Sequence, residues 1–255
     1  MANVLWHPGM TLAGFLIGSM IGMTGVGGGV VTAPVLILFF GISPAQSIGT
    51  ALLYSAAVKV GSALVYLYRR QVHFPTLAWM LAGGLPGALS GSYLLANLRG
   101  LKSNRSILIV VGGSILGAAI LGLQSLRSSR PAEPSLRLLP WLSFPIGLEV
   151  GFSSAGAGAL GSLVLLQFTT LLPVTVIGTD LLFGMGISLA GGGVLFAAGD
   201  WNEQALLSLL AGGLVGSPLG SLWAGRIPAR QLRIALLVWA ALMGAVLLIQ
   251  GLTIR

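Results

Sequence analysis

Residues 9–41 read GMTLAGFLIGSMIGMTGVGGGVVTAPVLILFFG, an apolar run that is interrupted near its middle. As one straight helix this run would extend roughly 50 Å, whereas the hydrocarbon core of a bilayer is about 30 Å thick. Four of the five residues from Gly25 to Gly29 are glycine, and each glycine costs about 1 kcal/mol relative to alanine inside a helix. The run therefore predicts two half-helices that meet at a break within the membrane.

The whole chain has the composition of a membrane protein. Of its 255 residues, 55% are hydrophobic and only 7% are charged, against roughly 25% charged residues in a soluble domain. The net charge of +8 does not indicate a nucleic-acid partner, because twelve of the 13 Lys and Arg residues lie between or beside apolar segments. The low share of charged residues also excludes a soluble enzyme, because it could not cover a surface that faces water.

Eight hydrophobic segments follow one another along the chain. Their apolar runs are unbroken rather than alternating, which predicts helices and not a β-barrel. We therefore predict an all-α polytopic integral membrane protein that has the lipid bilayer as its partner. The segments are 9–41, 44–68, 74–98, 106–125, 138–168, 173–198, 203–224 and 232–251.

The chain contains an internal repeat. A shift of 129 positions aligns residues 22–92 with residues 151–221 without a gap, and 22 of the 71 aligned pairs are identical, where about seven are expected by chance. We predict a first transmembrane repeat over 1–126, a linker over 127–137 and a second transmembrane repeat over 138–255. Duplicated halves are typical of secondary transporters, whose substrate site lies at the repeat interface.

The break in the first segment has a counterpart in the second repeat, at residues 153–158. Interrupted helices persist in a membrane only where protein or a watery cavity surrounds them, and the N-terminus of a half-helix attracts anions. We predict that a small anionic solute binds at the two breaks; close helix packing on glycine is the alternative. The candidate binding residues here are Thr24, Gly25, Gly27, Gly28, Gly29, Ser153, Ser154, Gly156 and Gly158.

The positive charges distinguish two topologies. If all eight segments cross the bilayer, the twelve Lys and Arg residues divide six and six between its sides. If each first segment is instead a re-entrant hairpin, they divide eight and four, which places the more positive side in the cytoplasm. Each repeat then crosses three times, so the repeats are inverted, and we favour this arrangement.

Three ladders of glycine, spaced four residues apart, lie outside the breaks: 14/18/22, 83/87/91 and 212/216/220. Small residues at this spacing let membrane helices approach closely. We expect these contacts within one chain, with a homodimer face as the alternative.

Three charged residues lie inside apolar segments: Lys59, Glu149 and Asp180. Each intramembrane charge costs at least about 2.5 kcal/mol and is a functional hypothesis. We expect Lys59 to attract the anion and Asp180 to carry a proton, with Glu149 as a second proton site. In inverted repeats Lys59 and Asp180 would lie within about 4 Å of each other in depth; a purely structural buried pair is the alternative.

Two threonines offer hydroxyl donors to an oxyanion. Thr50 and Thr179 occupy equivalent positions in the repeats, each directly after a paired glycine. A lone hydroxyl in a membrane helix commonly bonds the carbonyl four residues before it, which is the alternative for both residues.

The string GMTGVGGGVVTAP at 22–34, followed by QSIGT at 46–50 and by the glycine-rich residues 83–91, resembles the TauE/SafE family of sulfite and organosulfonate exporters. The resemblance extends through both repeats, although Ser154, Ala157 and Leu163 replace two glycines and the proline in the second. It implies a proton-coupled transporter in the cytoplasmic membrane for an anion such as sulfite, thiosulfate or an organosulfonate.

A passive anion channel is the alternative to a coupled transporter. An enzyme is disfavoured because the chain has no cysteine and its two histidines, His7 and His73, lie at segment ends. The sequence predicts no catalytic residues, no metal site, no cofactor and no nucleic-acid partner.

Overall fold

A computed structural model of the chain describes residues 7–24, 28–98, 104–125, 136–155, 157–223 and 229–253. Every regular element in these ranges is helical, which confirms the all-α prediction. After a short 3₁₀ turn at Leu136–Leu138, α6 begins the second half. The helices are α1 (Pro8–Thr24), α2 (Gly29–Phe40), α3 (Pro44–Tyr68), α4 (Phe74–Leu98), α5 (Asn104–Ser125), α6 (Leu139–Ser153), α7 (Ala157–Phe168), α8 (Pro173–Ala197), α9 (Glu203–Trp223) and α10 (Ala229–Thr253).

In each half of the chain, two shorter helices come first and three longer helices follow. Among the described residues, five helices are long and apolar enough to cross a membrane: α3, α5, α8, α9 and α10. Helix α4 also has 25 residues, or roughly 37 Å. By contrast, α2 and α7 have 12 residues each, or about 18 Å, which is too short to cross. The protein is therefore a polytopic membrane protein that carries additional short helices.

The two long apolar runs each form two helices. Helix α1 ends at Thr24 and α2 begins at Gly29. The His7 ring, just before α1, lies 5.4 Å from the Phe40 ring at the end of α2, so the chain reverses between them. In the second run, Ser154 ends α6 in the left-handed conformation with φ +63°, and its N–H bonds the Val150 carbonyl.

The glycine ladders hold the short helices against long ones. A Cβ atom at Gly14, Gly18 or Gly22 of α1 would meet the backbone of α9, and Gly212, Gly216 and Gly220 of α9 meet α1 in the same way. Gly83, Gly87 and Gly91 of α4 pack equally closely against the backbone of α6. The ladders thus pack helices together within one chain, as expected.

Helices α3 and α8 cross antiparallel at the centre of the molecule. Gly49 near the start of α3 packs against Leu195 near the end of α8, and Gly178 near the start of α8 packs against Tyr66 near the end of α3. Between these contacts, Leu52 lies against Gly191 and Gly192. Each helix therefore starts where the other ends.

The loops that follow α3 and α8 have the same conformation. Arg70 and Gly199 occupy equivalent positions and have φ values of +53° and +74°. Beyond them, the Thr50 hydroxyl accepts the Asn202 N–H at 2.9 Å, and the Thr179 hydroxyl accepts the His73 N–H at 3.0 Å. Each half thereby fixes a loop of the other half.

We expect Gly87→Ala to destabilise the protein, because its Cβ atom would collide with the Phe144 carbonyl of α6 and backbone cannot move aside cheaply. Overpacking of this kind costs about 1–3 kcal/mol. Thermal unfolding in detergent measures the effect. Gly193→Ala in α8 is the matched control, because its Cβ atom would meet no neighbour within 4 Å; it should leave the midpoint unchanged or raise it. Equal midpoints for the two variants would contradict the packing described here.

Candidate functional site

The two helix breaks touch each other. A Cβ atom at Gly29, the first residue of α2, would overlap the backbone carbonyl and the hydroxyl of Ser154. Gly28 and Gly29 are buried, and so are Ser153 and Ser154. The start of α2 therefore lies directly against the left-handed end of α6, inside the protein.

Unused polar groups remain at this junction. The buried Ser154 hydroxyl makes no hydrogen bond. No side chain caps the start of α2, which follows Gly28; the first N–H groups of a helix have no partner within the helix itself. The junction can therefore supply hydrogen-bond donors to a solute from both halves of the chain.

Lys59 is fully buried in α3, and its ammonium group makes no hydrogen bond. Its charge interacts electrostatically with that of Asp180 on α8. The packing of Leu52 on Gly192 and of Tyr66 on Gly178 places Lys59 opposite about Met185, the midpoint of α8. A buried cation near mid-depth, with a carboxylate as its electrostatic partner, is suited to attract an anion.

The contacts between α3 and α8 place Asp180 at a different level along α8 from Lys59. Asp180 lies five residues along α8 from the level of Lys59, or roughly 7 Å. The offset of about 4 Å expected for inverted repeats stays a prediction. The carbonyl of Asp200, in the loop after α8, lies over Gly49 of α3.

Asp180 is held by the first turns of α7. Its side chain is fully buried and accepts a hydrogen bond from the Ser162 hydroxyl. Gly161 makes room for it, since a Cβ atom there would overlap the carboxylate. The same Ser162 hydroxyl lies 2.8 Å from the Gly158 carbonyl. Asp180 is therefore connected to the half-helix that begins at the second break.

Glu149 is connected to the second break from the other side. Its Oε1 atom accepts a hydrogen bond from the Ser153 hydroxyl at 2.8 Å, and Ser114 of α5 also hydrogen-bonds the carboxyl group. The Ser153 hydroxyl in turn accepts the Ala155 N–H at 3.1 Å. A single serine thus joins this carboxyl group to the backbone at the break.

The remaining predicted residues lie in several places. Thr50 and Thr179 are fully buried, and their hydroxyls accept the loop N–H groups described above. Gly158 is buried in the first turn of α7. The side chain of Thr24 and the residues Gly25, Gly27 and Gly156 lie outside the described residues.

Two polar residues at or near the site are missed by the sequence analysis. Ser162 carries no distinguishing pattern, and only the structure places it against Asp180. Asp200 lies in a loop, yet it is fully buried. The alignment of the halves could have indicated Asp200, because it pairs this residue with Gln71, and both follow the left-handed turn.

Comparisons with known proteins give one consistent result. The chain is 24% identical to the probable membrane transporter protein YjnA of Bacillus subtilis (strain 168), over 94% of this chain and 96% of that protein. It is 29% identical to YtnM of the same strain, also named a probable membrane transporter protein, over 75% and 66% of the two chains. A probable membrane transporter protein of Xylella fastidiosa (strain 9a5c) is 25% identical, over 86% of this chain and 85% of that protein.

No solved structure gives a significant match to the chain. The model of the sulfite exporter TauE/SafE family, in contrast, matches residues 10–247, which cover both halves and both breaks. The chain therefore belongs to the TauE/SafE sulfite exporter family of membrane transporters.

Proposed function

We propose that this protein is a proton-coupled secondary transporter that moves a small sulfur-containing anion, such as sulfite, thiosulfate or an organosulfonate, across the cytoplasmic membrane. The observation that carries the proposal is the buried junction of the two breaks, where the Ser154 hydroxyl has no partner and Gly29 leaves no side chain in the way. Transporter sites commonly lie where discontinuous helices of two repeats meet.

The halves are proposed to be inverted repeats. The antiparallel crossing of α3 and α8, the equivalent bonds of Thr50 and Thr179, and the reversal between α1 and α2 all support this arrangement. Each half then contributes one re-entrant hairpin and three crossings. Alternating access follows from rocking of one half against the other around the junction.

The anion is proposed to bind between the starts of α2 and α7. Backbone N–H groups at a helix start, together with the positive end of the helix dipole, favour negative charge. Thr50 and Thr179 remain candidates for the same role. The other candidate residues are those at or next to these starts in the sequence: Thr24, Gly25, Gly27, Gly28 and Gly29, and Ser153, Ser154, Gly156 and Gly158. Lys59 supplies the countercharge.

Asp180 is proposed to couple proton and anion. When Asp180 is ionised, it partly neutralises Lys59, with which it interacts. When Asp180 binds a proton, Lys59 becomes free to attract the anion, and the carboxyl group no longer needs the Ser162 hydroxyl, which can then bond the Gly158 carbonyl alone. Proton and anion therefore favour each other's binding. Glu149, through Ser153, is the second proton site.

Asp180→Asn mimics the protonated carboxyl group. We expect this variant to bind thiosulfate roughly tenfold more tightly than the unaltered protein at pH 8, in line with coupling energies of about 1–3 kcal/mol. Its affinity should also depend less on pH, because only Glu149 then remains as a proposed proton site. Isothermal titration of the purified protein between pH 6 and 8 measures both effects. Glu203→Gln, which changes an exposed acid at the start of α9, is the control. Weaker binding by Asp180→Asn, with an unchanged pH dependence, would contradict the coupling.

Lys59→Met removes the countercharge but keeps an apolar chain of similar length. We expect thiosulfate binding to fall at least tenfold, whereas the protein should remain folded because Asp180 can become neutral by binding a proton. A thermal-shift series with sulfite, thiosulfate, taurine and sulfate measures the loss and identifies the anion that stabilises the unaltered protein most. Undiminished stabilisation of Lys59→Met by that anion would exclude Lys59 from the site.

A passive anion channel is the second candidate function, because a site lined by helix starts serves conduction equally well. Proteoliposomes distinguish the two. We expect a pH difference alone to drive thiosulfate accumulation above its outside concentration. A channel would only equalise the concentrations, and that outcome would remove the coupling while leaving the anion site.

A further inference from the structure

A cavity lies between α5, α6 and α7, on the side of Glu149. Its volume is about 400 Å³, within the range of roughly 300–1,000 Å³ that is usual for small-molecule pockets. Leu121, which lines it, is 55% exposed on the outer surface of the protein. Because α5 is one of the helices able to span the membrane, this cleft opens towards lipid.

The walls of the cleft are almost entirely apolar. Glu149 and Ser114 are its polar residues, and the Glu149 carboxylate also accepts the hydrogen bond from Ser153. None of the described lining residues is a Lys, Arg or His.

The charged groups described on neighbouring helices make their contacts elsewhere, and Lys59 of α3 interacts with Asp180. Asp180 of α8 lies against Gly161 and Ser162 of α7, neither of which lines the cleft. Arg105 of α5 bonds the Leu252 carbonyl at the end of α10. The charge on Glu149 therefore has no cationic partner among the described residues that line the cleft.

We propose that this cleft binds a lipophilic organic cation that enters from the bilayer, such as a quaternary ammonium or phosphonium ion or a protonated amine with apolar substituents. Its apolar groups would fill the walls and its charge would lie against Glu149. A carboxylate in an apolar environment is costly unless it is paired. A lipid-soluble cation can pack its apolar groups against the walls of the cleft and pair its charge with the carboxylate.

The described part of the first repeat has no acidic residue at the equivalent place. The residue equivalent to Glu149 in the first repeat is Met20, which cannot hold a cation in this way. Glu149 is also the proposed second proton site, and Ser153 connects it to the second break. The cation proposal rests on the cleft itself, so it can be tested whether or not the chain transports an anion.

The test uses the purified full-length protein in detergent with two probes of the same shape and opposite charge. Tetraphenylphosphonium should bind saturably, whereas tetraphenylborate should not. Binding of the cation should weaken as the pH falls, because protons compete for the Glu149 carboxylate. Equilibrium dialysis with each probe measures these affinities.

Two variants locate the site. Glu149→Gln and Gly117→Phe should each lower the affinity for tetraphenylphosphonium at least tenfold. Gly117 lines the cleft, and a Cβ atom added at this position would have no neighbour within 4 Å. We therefore expect Gly117→Phe to fill the cleft while the protein remains folded. Glu203→Gln should bind the cation like the unaltered protein.

Equal affinity of Glu149→Gln and the unaltered protein for the cation would overturn the proposal. Should Glu149→Gln fail to fold, undiminished binding by folded Gly117→Phe would overturn it instead. Tetraphenylborate binding that is equally tight and equally sensitive to Gly117→Phe would show an apolar pocket without charge selectivity, and would also overturn it.

Discussion

The structure depends on one constraint: a helix that stops inside a bilayer must have its ends enclosed by protein. Water is absent there, so unpaired N–H and C=O groups cannot be left facing lipid. In this protein the breaks are enclosed by each other, with Gly29 against Ser154. They are also enclosed by long helices that approach at backbone distance along the glycine ladders. Enclosure of this kind requires both halves, which explains why α1 packs on α9 of the opposite half and α6 packs on α4.

The two halves differ in the charges that they bury. Lys59 is in the first half, whereas Glu149, Asp180 and Asp200 are all in the second, and all but the half-buried Glu149 are fully buried. The two halves thus share a helical framework but differ in the sign of the charges inside it. The proposed countercharge for the anion is in the first half, and the proposed proton sites on α6 and α8 are in the second. Coupling between them would pass through Asp180, which contacts α7 and interacts with Lys59.

Much of the fold could be predicted because its determinants are local. Prolines at the first positions of α3 and α8 mark where those helices begin, and clustered glycines mark the break after α1. The glycine ladders repeat every four residues, so they can be recognised from the sequence alone. In contrast, the contact between Ser162 and Asp180, the burial of Asp200 and the register of α3 on α8 arise from tertiary packing. The Asp200 carbonyl lies over Gly49 of α3, and no local pattern records this contact.

The most direct test of an anion site at the junction is to locate a bound anion. Selenite has the shape and charge of sulfite, and its selenium atom gives an anomalous X-ray signal. In crystals of the protein grown with selenite, we expect one strong anomalous peak between the starts of α2 and α7, on the side that faces Lys59. A peak confined to the protein surface, with the junction fully packed at saturating selenite, would contradict the account.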